Sequence, residues 1–180
     1  MSADGKSETA PLTVKMDPRV FMSQAELEAL HAAQTTMAAS LDALAKADLE
    51  AHSVMKQINA VQDKALAAQL ATFRAALGTI LDGTKGGAKA AAEQLPGIDE
   101  VRGEATQLYN ELEQADVNPT AALLAAAAHV QEERKAVLPG WENFKQTQIP
   151  EMNRQLQREH HPAIQPNQRP AHIPEEGDED

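Results

Sequence analysis

The sequence predicts an all-α protein, in which an antiparallel bundle of about four helices follows one orphan β-strand and precedes a disordered acidic tail. Apolar residues recur at three- and four-residue steps through most of residues 21–160, the spacing that places them on one face of a helix. Alternation typical of a strand occurs once, near residue 12. Aromatic residues make up only 3% of the chain while Ala is abundant, a composition that suits closely packed helices.

The predicted strand and hinge occupy residues 12–20, after a small and polar stretch, residues 1–11, that is predicted to be disordered. Leu12, Val14 and Met16 alternate with polar residues, as in a half-buried strand. Pro18 ends the strand because its ring removes a backbone N–H. A single strand leaves its N–H and C=O groups unpaired, so this one is expected to join a sheet supplied from elsewhere.

The first helix is predicted to begin at Ser23, which forms an S-x-x-E capping box with Glu26. Its apolar stripe consists of Leu27, Leu30, Met37, Leu41, Leu44, Met55, Ile58 and Val61. The length of this stripe predicts a helix of at least five or six turns, and of ten turns if the stripe is continuous past Asp48.

Two further helices follow, separated by a Gly-rich connection. The second helix carries Leu66, Leu70, Phe73, Leu77 and Leu81, and it is expected to end at Gly83. The third carries Ile98, Val101, Ala105, Leu108, Leu112 and Ala115. We expect odd-numbered helices to run one way and even-numbered helices the other, as in an up-and-down bundle.

The fourth helix is predicted to have Asn118 as its N-cap and Pro119 as its first residue. Pro139 and Gly140 are expected to kink or interrupt it, and a last short helix is expected to begin at Ile149. Residues 161–180 are rich in Pro and acidic residues and are predicted to be disordered.

Composition excludes several classes of protein. The formal net charge of −11 argues against a nucleic-acid partner, since such surfaces carry a basic stripe. The absence of Cys removes disulfides and thiolate metal sites. No apolar run is long enough for a membrane span, and no apolar signal segment begins the chain. A complete gene product of this kind is expected to be cytoplasmic.

Several polar residues have spacings found in functional sites, but none predicts a catalytic, cofactor-binding or metal-binding function. Glu28 and His31 have the Glu-x-x-His spacing of di-iron bundles, but no second such motif occurs. Asp48 and His52 are four residues apart, which suits a hydrogen bond on the helix surface. Three histidines lie near or in the predicted tail without a geometry to fix them, namely His160, His161 and His172.

Trp141 and Phe144 admit two interpretations. Aromatic rings bind the apolar faces of sugars, so the pair could form a stacking platform. A Trp beside a Pro-Gly pair also suits an apolar plug that closes a bundle.

Three segments carry a resemblance to a known family. They are Leu12–Val20 followed by the Ser23 helix, Asp116–Thr120, and Trp141–Lys145 continued by Ile149–Leu156. Together they resemble the C-terminal module of secreted bacterial β-propeller proteins of the BNR/Asp-box, sortilin-like (VPS10-type) family, which are often labelled glycosyl hydrolases. The resemblance implies a strand that closes a β-sandwich behind the propeller, β-domains as partners, and an extracytoplasmic location. It also implies that any glycosidase activity belongs to a propeller domain absent from this chain.

Two functions follow as hypotheses. The first is a non-catalytic accessory module that packs on the β-domains of a parent or partner protein. Its candidate interaction residues are Leu12, Val14, Met16, Trp141 and Phe144. The alternative is a free-standing amphipathic helical protein that coats a surface, such as a phasin-like granule binder or a lipid-surface coat.

Overall fold

The computed structural model describes the backbone of Ser2–Ala3 and Lys6–Ser7, together with residues 11–13, 22–84, 95–114 and 119–167. Four helices dominate this part of the chain: α1 (Gln24–Ala60), α2 (Ala67–Asp82), α3 (Ile98–Glu113) and α4 (Ala121–Arg158). Two two-residue strands precede them, β1 (Ser2–Ala3) and β2 (Lys6–Ser7), which pair antiparallel with Ser2 opposite Ser7. The prediction of a helical bundle is confirmed.

Helix α1 begins where the sequence predicts and is a single helix of 37 residues. The backbone N–H of Glu26 donates to Ser23 Oγ at 3.3 Å, and the backbone N–H of Ser23 donates to Glu26 Oε2 at 2.6 Å. This reciprocal capping box satisfies two of the N–H groups that the first turn of a helix leaves without partners.

The orphan strand is not confirmed. Leu12 and Thr13 are irregular in conformation and exposed, with the Leu12 side chain 88% accessible. The rest of the predicted strand, from Val14 onward, lies outside the described residues. The strand therefore stays a prediction.

The helix directions differ from the alternating pattern that we expected. Helices α1 and α3 run antiparallel, because Gln34 contacts Leu112 whereas His52 contacts Asp99. Helices α1 and α4 run parallel, because contacts advance together along both, from Ser40 with Gln131 to Glu50 with Trp141 and Lys145. The prediction that odd and even helices oppose one another is wrong.

The lengths of the helices account for this arrangement. α1 and α4 contain 37 and 38 residues, about 55 Å each, whereas α2 and α3 contain 16 residues, about 24 Å each. Neither short helix can cover a long one alone. Helix α2 turns back on α1, where Arg74 Nη2 donates to the Ile58 carbonyl at 3.0 Å, and α3 contacts the remainder of α1.

A close approach of two glycines joins α2 to α3. Gly83 caps α2 with φ +78°, a conformation that L side chains rarely adopt, and its backbone lies against Leu95 and Gly97. The Thr84 N–H donates to the Leu95 carbonyl at 3.0 Å, so the two ends of the connection meet. Gly97 lies against the Leu81 carbonyl at the start of α3, where a Cβ would collide with it.

Helix α4 differs from its prediction at its start, near Pro119, and at the expected break near Pro139. Its N-cap is Thr120, whose Oγ1 accepts from the Leu123 N–H at 3.1 Å, so Pro119 precedes the helix. The predicted N-cap, Asn118, lies outside the described residues. The helix continues through Pro139 and Pro150 to Arg158, so no separate helix begins at Ile149.

The apolar stripe of α4 explains its continuity. Val137, Trp141 and Phe144 are buried at helical spacing on both sides of Pro139, which is itself exposed. Water can therefore solvate the carbonyl that loses its hydrogen bond at the proline, and the burial of the stripe offsets the loss.

A single core lies between the four helices. Its largest fully buried side chains are Trp141, Met37, Leu44, Ile58, Leu70, Leu77, Ile98, Leu112, Leu156, Val54, Val101 and Val130. Among the described residues no helix is both long enough and apolar enough to cross a membrane.

The chain folds back on the bundle after α4. Ile164 is 4% exposed, its N–H donates to Asn153 Oδ1 at 2.7 Å, and Asn153 Nδ2 donates to the Ile164 carbonyl at 3.0 Å. Gln57 makes the same pair of hydrogen bonds with the backbone of Gln165, at 2.9 and 3.0 Å. The segment is therefore packed through Gln165, beyond the predicted start of the tail at residue 161, and residues 168–180 lie outside the described part.

Candidate functional site

Trp141 and Phe144 lie inside the bundle. Trp141 has no exposed surface and Phe144 is 4% exposed. The Phe144 ring lies 4.9 Å from the Phe73 ring and 5.9 Å from the Trp141 ring, centroid to centroid, so the three aromatics join α2 to α4. Neither ring of the pair is accessible to a sugar or to a protein partner in this structure.

Glu50 connects this aromatic group to α1. Trp141 Nε1 donates to Glu50 Oε2 at 3.1 Å, and Lys145 Nζ donates to the same oxygen at 2.9 Å. Burial raises the pKa of the Glu50 carboxyl, but the hydrogen bonds from Lys145 and Trp141 outweigh burial and hold that pKa below its usual value. The arrangement ties α1 to α4.

A second polar cluster lies at the interface of α1 and α3, formed by Asp48, His52 and Asp99. Asp48 and His52 are one turn apart on α1, so their side chains share a face. Asp99 belongs to the first turn of α3, where the positive end of the helix dipole favours a carboxylate. The cluster is half open to solvent: the His52 side chain is 53% exposed and that of Asp99 38%, whereas that of Asp48 is 12% exposed.

The three side chains converge on one ring nitrogen. His52 Nε2 lies 3.2 Å from Asp48 Oδ1 and 3.3 Å from Asp99 Oδ1. One ligand atom from each residue lies within 4.8 Å of the others, and this is the sole such group of three metal-ligating side chains in the described part of the chain. Arg102 Nε lies 3.3 Å from Asp48 Oδ2, on the far side of that carboxylate.

Asp48 is the unusual member of the cluster. The residue as a whole is 9% exposed, and its Oδ1 atom is buried without a hydrogen-bond partner despite its closeness to His52. Burial, and then the neighbouring Asp99 carboxyl, raise the pKa of Asp48, while Arg102 and His52 oppose the rise. A proton on the carboxyls or on His52, or a bound cation, would relieve the repulsion between the two acids.

The sequence indicated two of the three residues, as a pair whose spacing suits a hydrogen bond on the helix surface. The structure places Asp48 and His52 on one helix face, but Asp48 Oδ1 has no hydrogen-bond partner. No local pattern indicates Asp99, which is 47 residues from His52 and reaches the cluster only because α3 packs against α1.

The other polar residues that the sequence singled out do not form sites of this kind. Glu28 and His31 are exposed on α1, and Glu28 accepts a hydrogen bond from Gln24 at 2.9 Å. His161 Nε2 lies 2.9 Å from Asp63 Oδ2, and this hydrogen bond is the largest cause of the lowered pKa of Asp63. The pair closes the end of the bundle, where the chain leaves α4.

Two open depressions lie beside α4, and neither includes the Asp48 cluster. One follows the outer face of α4 around Pro139, and the other lies between α2 and α4 around Phe73. Their walls are mainly long polar side chains such as Gln146 and Gln148, without a buried acid–base pair.

The remaining predicted interaction residues lie at the N-terminal end. Leu12 is the most exposed of the large apolar side chains in the described residues, and Val14 and Met16 lie outside them.

Comparison with known proteins gives no relative: no protein-family model, no curated protein and no solved structure matches this chain.

Proposed function

We propose that this chain is a non-catalytic helical interaction module whose N-terminal segment adds a strand to a β-domain of a parent or partner protein. The observation that carries the proposal is the exposure of Leu12, at 88%, beside a bundle that buries the apolar stripes of all four helices. The Leu12 side chain adds little burial to the bundle and is available for contact with a partner.

The type of partner follows from the sequence pattern. The alternation that begins at Leu12 continues through Val14 and Met16, and such a segment can pair with an exposed sheet edge by backbone hydrogen bonds. Alternate side chains then enter the partner's apolar surface. The resemblance of Leu12–Val20 to the strand that closes a β-sandwich in BNR/Asp-box, sortilin-like proteins supports the same partner class.

The bundle itself serves as the support for this strand. Ser23 and Glu26 fix the start of α1 directly after the segment, so the strand leaves the bundle at a defined point. The alternative function, an amphipathic coat on granules or lipid, would require the bundle to open, because its apolar faces are packed against one another.

Amide hydrogen exchange of the purified chain tests the proposal. The probe is a purified β-propeller and β-sandwich region from a protein of the resembled family that lacks its own C-terminal module. Residues 12–20 should exchange rapidly in the dilute chain while α1 and α4 are protected, and the probe should slow exchange in residues 12–20. A double variant, Leu12→Asp with Val14→Asp, should abolish this effect.

Leu49→Asp is the matched control, since Leu49 is also an exposed leucine but lies on α1. It should leave the effect of the probe unchanged. Protection of residues 12–20 in the dilute monomer, or an equal response of both variants, would overturn the proposal. Binding to polymer granules or lipid vesicles with no response to the β-domains would favour the coat.

A further inference from the structure

We propose that Asp48, His52 and Asp99 form a binding site for a divalent transition-metal ion such as Zn²⁺, a property independent of the proposed strand addition. The site joins α1 to the first turn of α3. One imidazole nitrogen and two carboxylate oxygens are ligand types that Zn²⁺ accepts in proteins.

The distances within the cluster match those of a coordination shell. Zn²⁺ lies about 2.0–2.1 Å from N and O ligands, so two ligand atoms on adjacent corners of a tetrahedron are separated by about 3.3 Å. His52 Nε2 lies 3.2 Å from Asp48 Oδ1 and 3.3 Å from Asp99 Oδ1. Two of the three separations therefore match, and the third, between the two carboxylates, lies within 4.8 Å. The cluster is half open, so solvent can complete the shell.

The buried oxygen of Asp48 is an independent indication. Asp48 Oδ1 is inaccessible to solvent, lacks a hydrogen-bond partner and lies 3.2 Å from His52 Nε2. An orphaned buried oxygen is costly, and coordination to a cation would satisfy it. Arg102, which lies 3.3 Å from the other oxygen of the same carboxylate, holds Asp48 from the opposite side. This contact is an ion pair without a hydrogen bond, because Arg102 Nε has no hydrogen-bond partner.

The charges are also compatible with a dication. The two carboxylates carry the charge that offsets one divalent ion, although Arg102 already neutralises part of that of Asp48. In the absence of metal, a proton on His52 shared between the two carboxylates is the competing occupant, and the test must distinguish the two.

Calorimetric titration of Zn²⁺ into the chelator-stripped full chain provides the test. One ion should bind per chain at this site, and His52→Gln and Asp99→Asn should each weaken binding by at least about tenfold, the scale on which lost coordination-sphere groups act. Both residues are partly exposed, so these variants should fold, and circular dichroism verifies that they do. The ring nitrogen signals of His52 should shift on addition of Zn²⁺.

His129→Gln is the matched control. His129 Nε2 lies 3.3 Å from Glu133 Oε1 at the same i, i+4 spacing on α4, but that pair belongs to no group of three ligands in the described residues. His172→Gln tests capture by a C-terminal histidine. Neither control should change the affinity. Absence of binding up to millimolar Zn²⁺, or equal binding by His52→Gln and the unmodified chain, would overturn the proposal.

Discussion

The indole N–H of Trp141 donates to the Glu50 carboxylate at 3.1 Å across the interface of α1 and α4, and both side chains are buried. Lys145 donates to the same oxygen, so one carboxylate serves two donors on successive turns of α4. A carboxylate buried without such partners would be strongly disfavoured. The contact therefore helps to set the register of α4 against α1.

Replacement of Glu50 by leucine should destabilise the bundle. Glu50→Leu leaves the Trp141 N–H buried without an acceptor, so the free energy of unfolding should fall by about 2–3 kcal/mol. Urea denaturation monitored by Trp fluorescence measures this free energy, since Trp141 is the single Trp of the chain. Glu142→Gln is the control: Glu142 contacts the same lysine at 2.8 Å but is 58% exposed, so its loss should cost less than about 0.5 kcal/mol. An equal loss of unfolding free energy in Glu50→Leu and Glu142→Gln would contradict the stabilising role of Glu50.

The contribution of Glu50 should depend on pH. Its folded-state pKa lies below the ordinary value of 4.5, because the hydrogen bonds from Lys145 and Trp141 outweigh burial. Its ionisation therefore stabilises the fold fully above pH 4.5, and this contribution is lost as the pH falls from 4.5 through the folded-state pKa. The stability difference between Glu50→Gln and the unmodified chain should shrink over that acid range. A difference that is constant from pH 7 to pH 3 would contradict this.

The contribution of Glu133 to stability should depend on pH in the opposite direction to that of Glu50. Burial, and then the Glu104 carboxylate, raise the pKa of Glu133 above 4.5, against the effect of His129. Its protonated form is favoured in the fold, so stability is lost as the pH rises from 4.5 through the folded-state pKa. Glu133→Gln should therefore be close to neutral at low pH and should stabilise the protein at pH 7. Thermal denaturation at several pH values measures the stability of this variant. Destabilisation by Glu133→Gln at pH 7 would contradict a raised pKa of Glu133.

Gly97 should tolerate no side chain. A Cβ at this position would collide with the Leu81 carbonyl, so Gly97→Ala should lower the free energy of unfolding by about 1–3 kcal/mol, as overpacking does. Gly103→Ala is the control, because a Cβ there meets nothing within 4 Å and the residue lies within α3. That change should stabilise the protein by about 0.5–1 kcal/mol. The prediction fails if the two variants have the same denaturation midpoint.

Pro139→Ala should stabilise α4. The helix is continuous at this position and the residue is exposed, so alanine restores a backbone N–H to the helix and removes the ring. The gain should be about 1–3 kcal/mol, after allowance for the greater freedom of the unfolded chain. Pro119→Ala, which lies before the N-cap, should change stability by less than about 1 kcal/mol. A loss of stability in Pro139→Ala would show that the proline is required in the fold.

The sequence predicted the features that depend on neighbouring residues. The capping box of Ser23, the stripe of α1 and the end of α2 at Gly83 follow from interactions within four residues, and the structure has them. The start of α4 was misplaced because Asn118 and Thr120 are both good capping residues. The expected kink or interruption at Pro139 is absent because that prediction counts a lost hydrogen bond and omits the burial of Trp141, two residues later.

By itself, the sequence determined that this protein is a helical bundle, because apolar periodicity and caps are encoded locally along each helix. The tertiary structure decided that α1 runs parallel to α4, that Glu50 contacts Trp141, and that Asp99 joins Asp48 and His52. Each of these depends on contacts between residues 47 to 95 positions apart in the sequence. Such pairings follow from the fit of whole helices of unequal length, and no local pattern of residues specifies them.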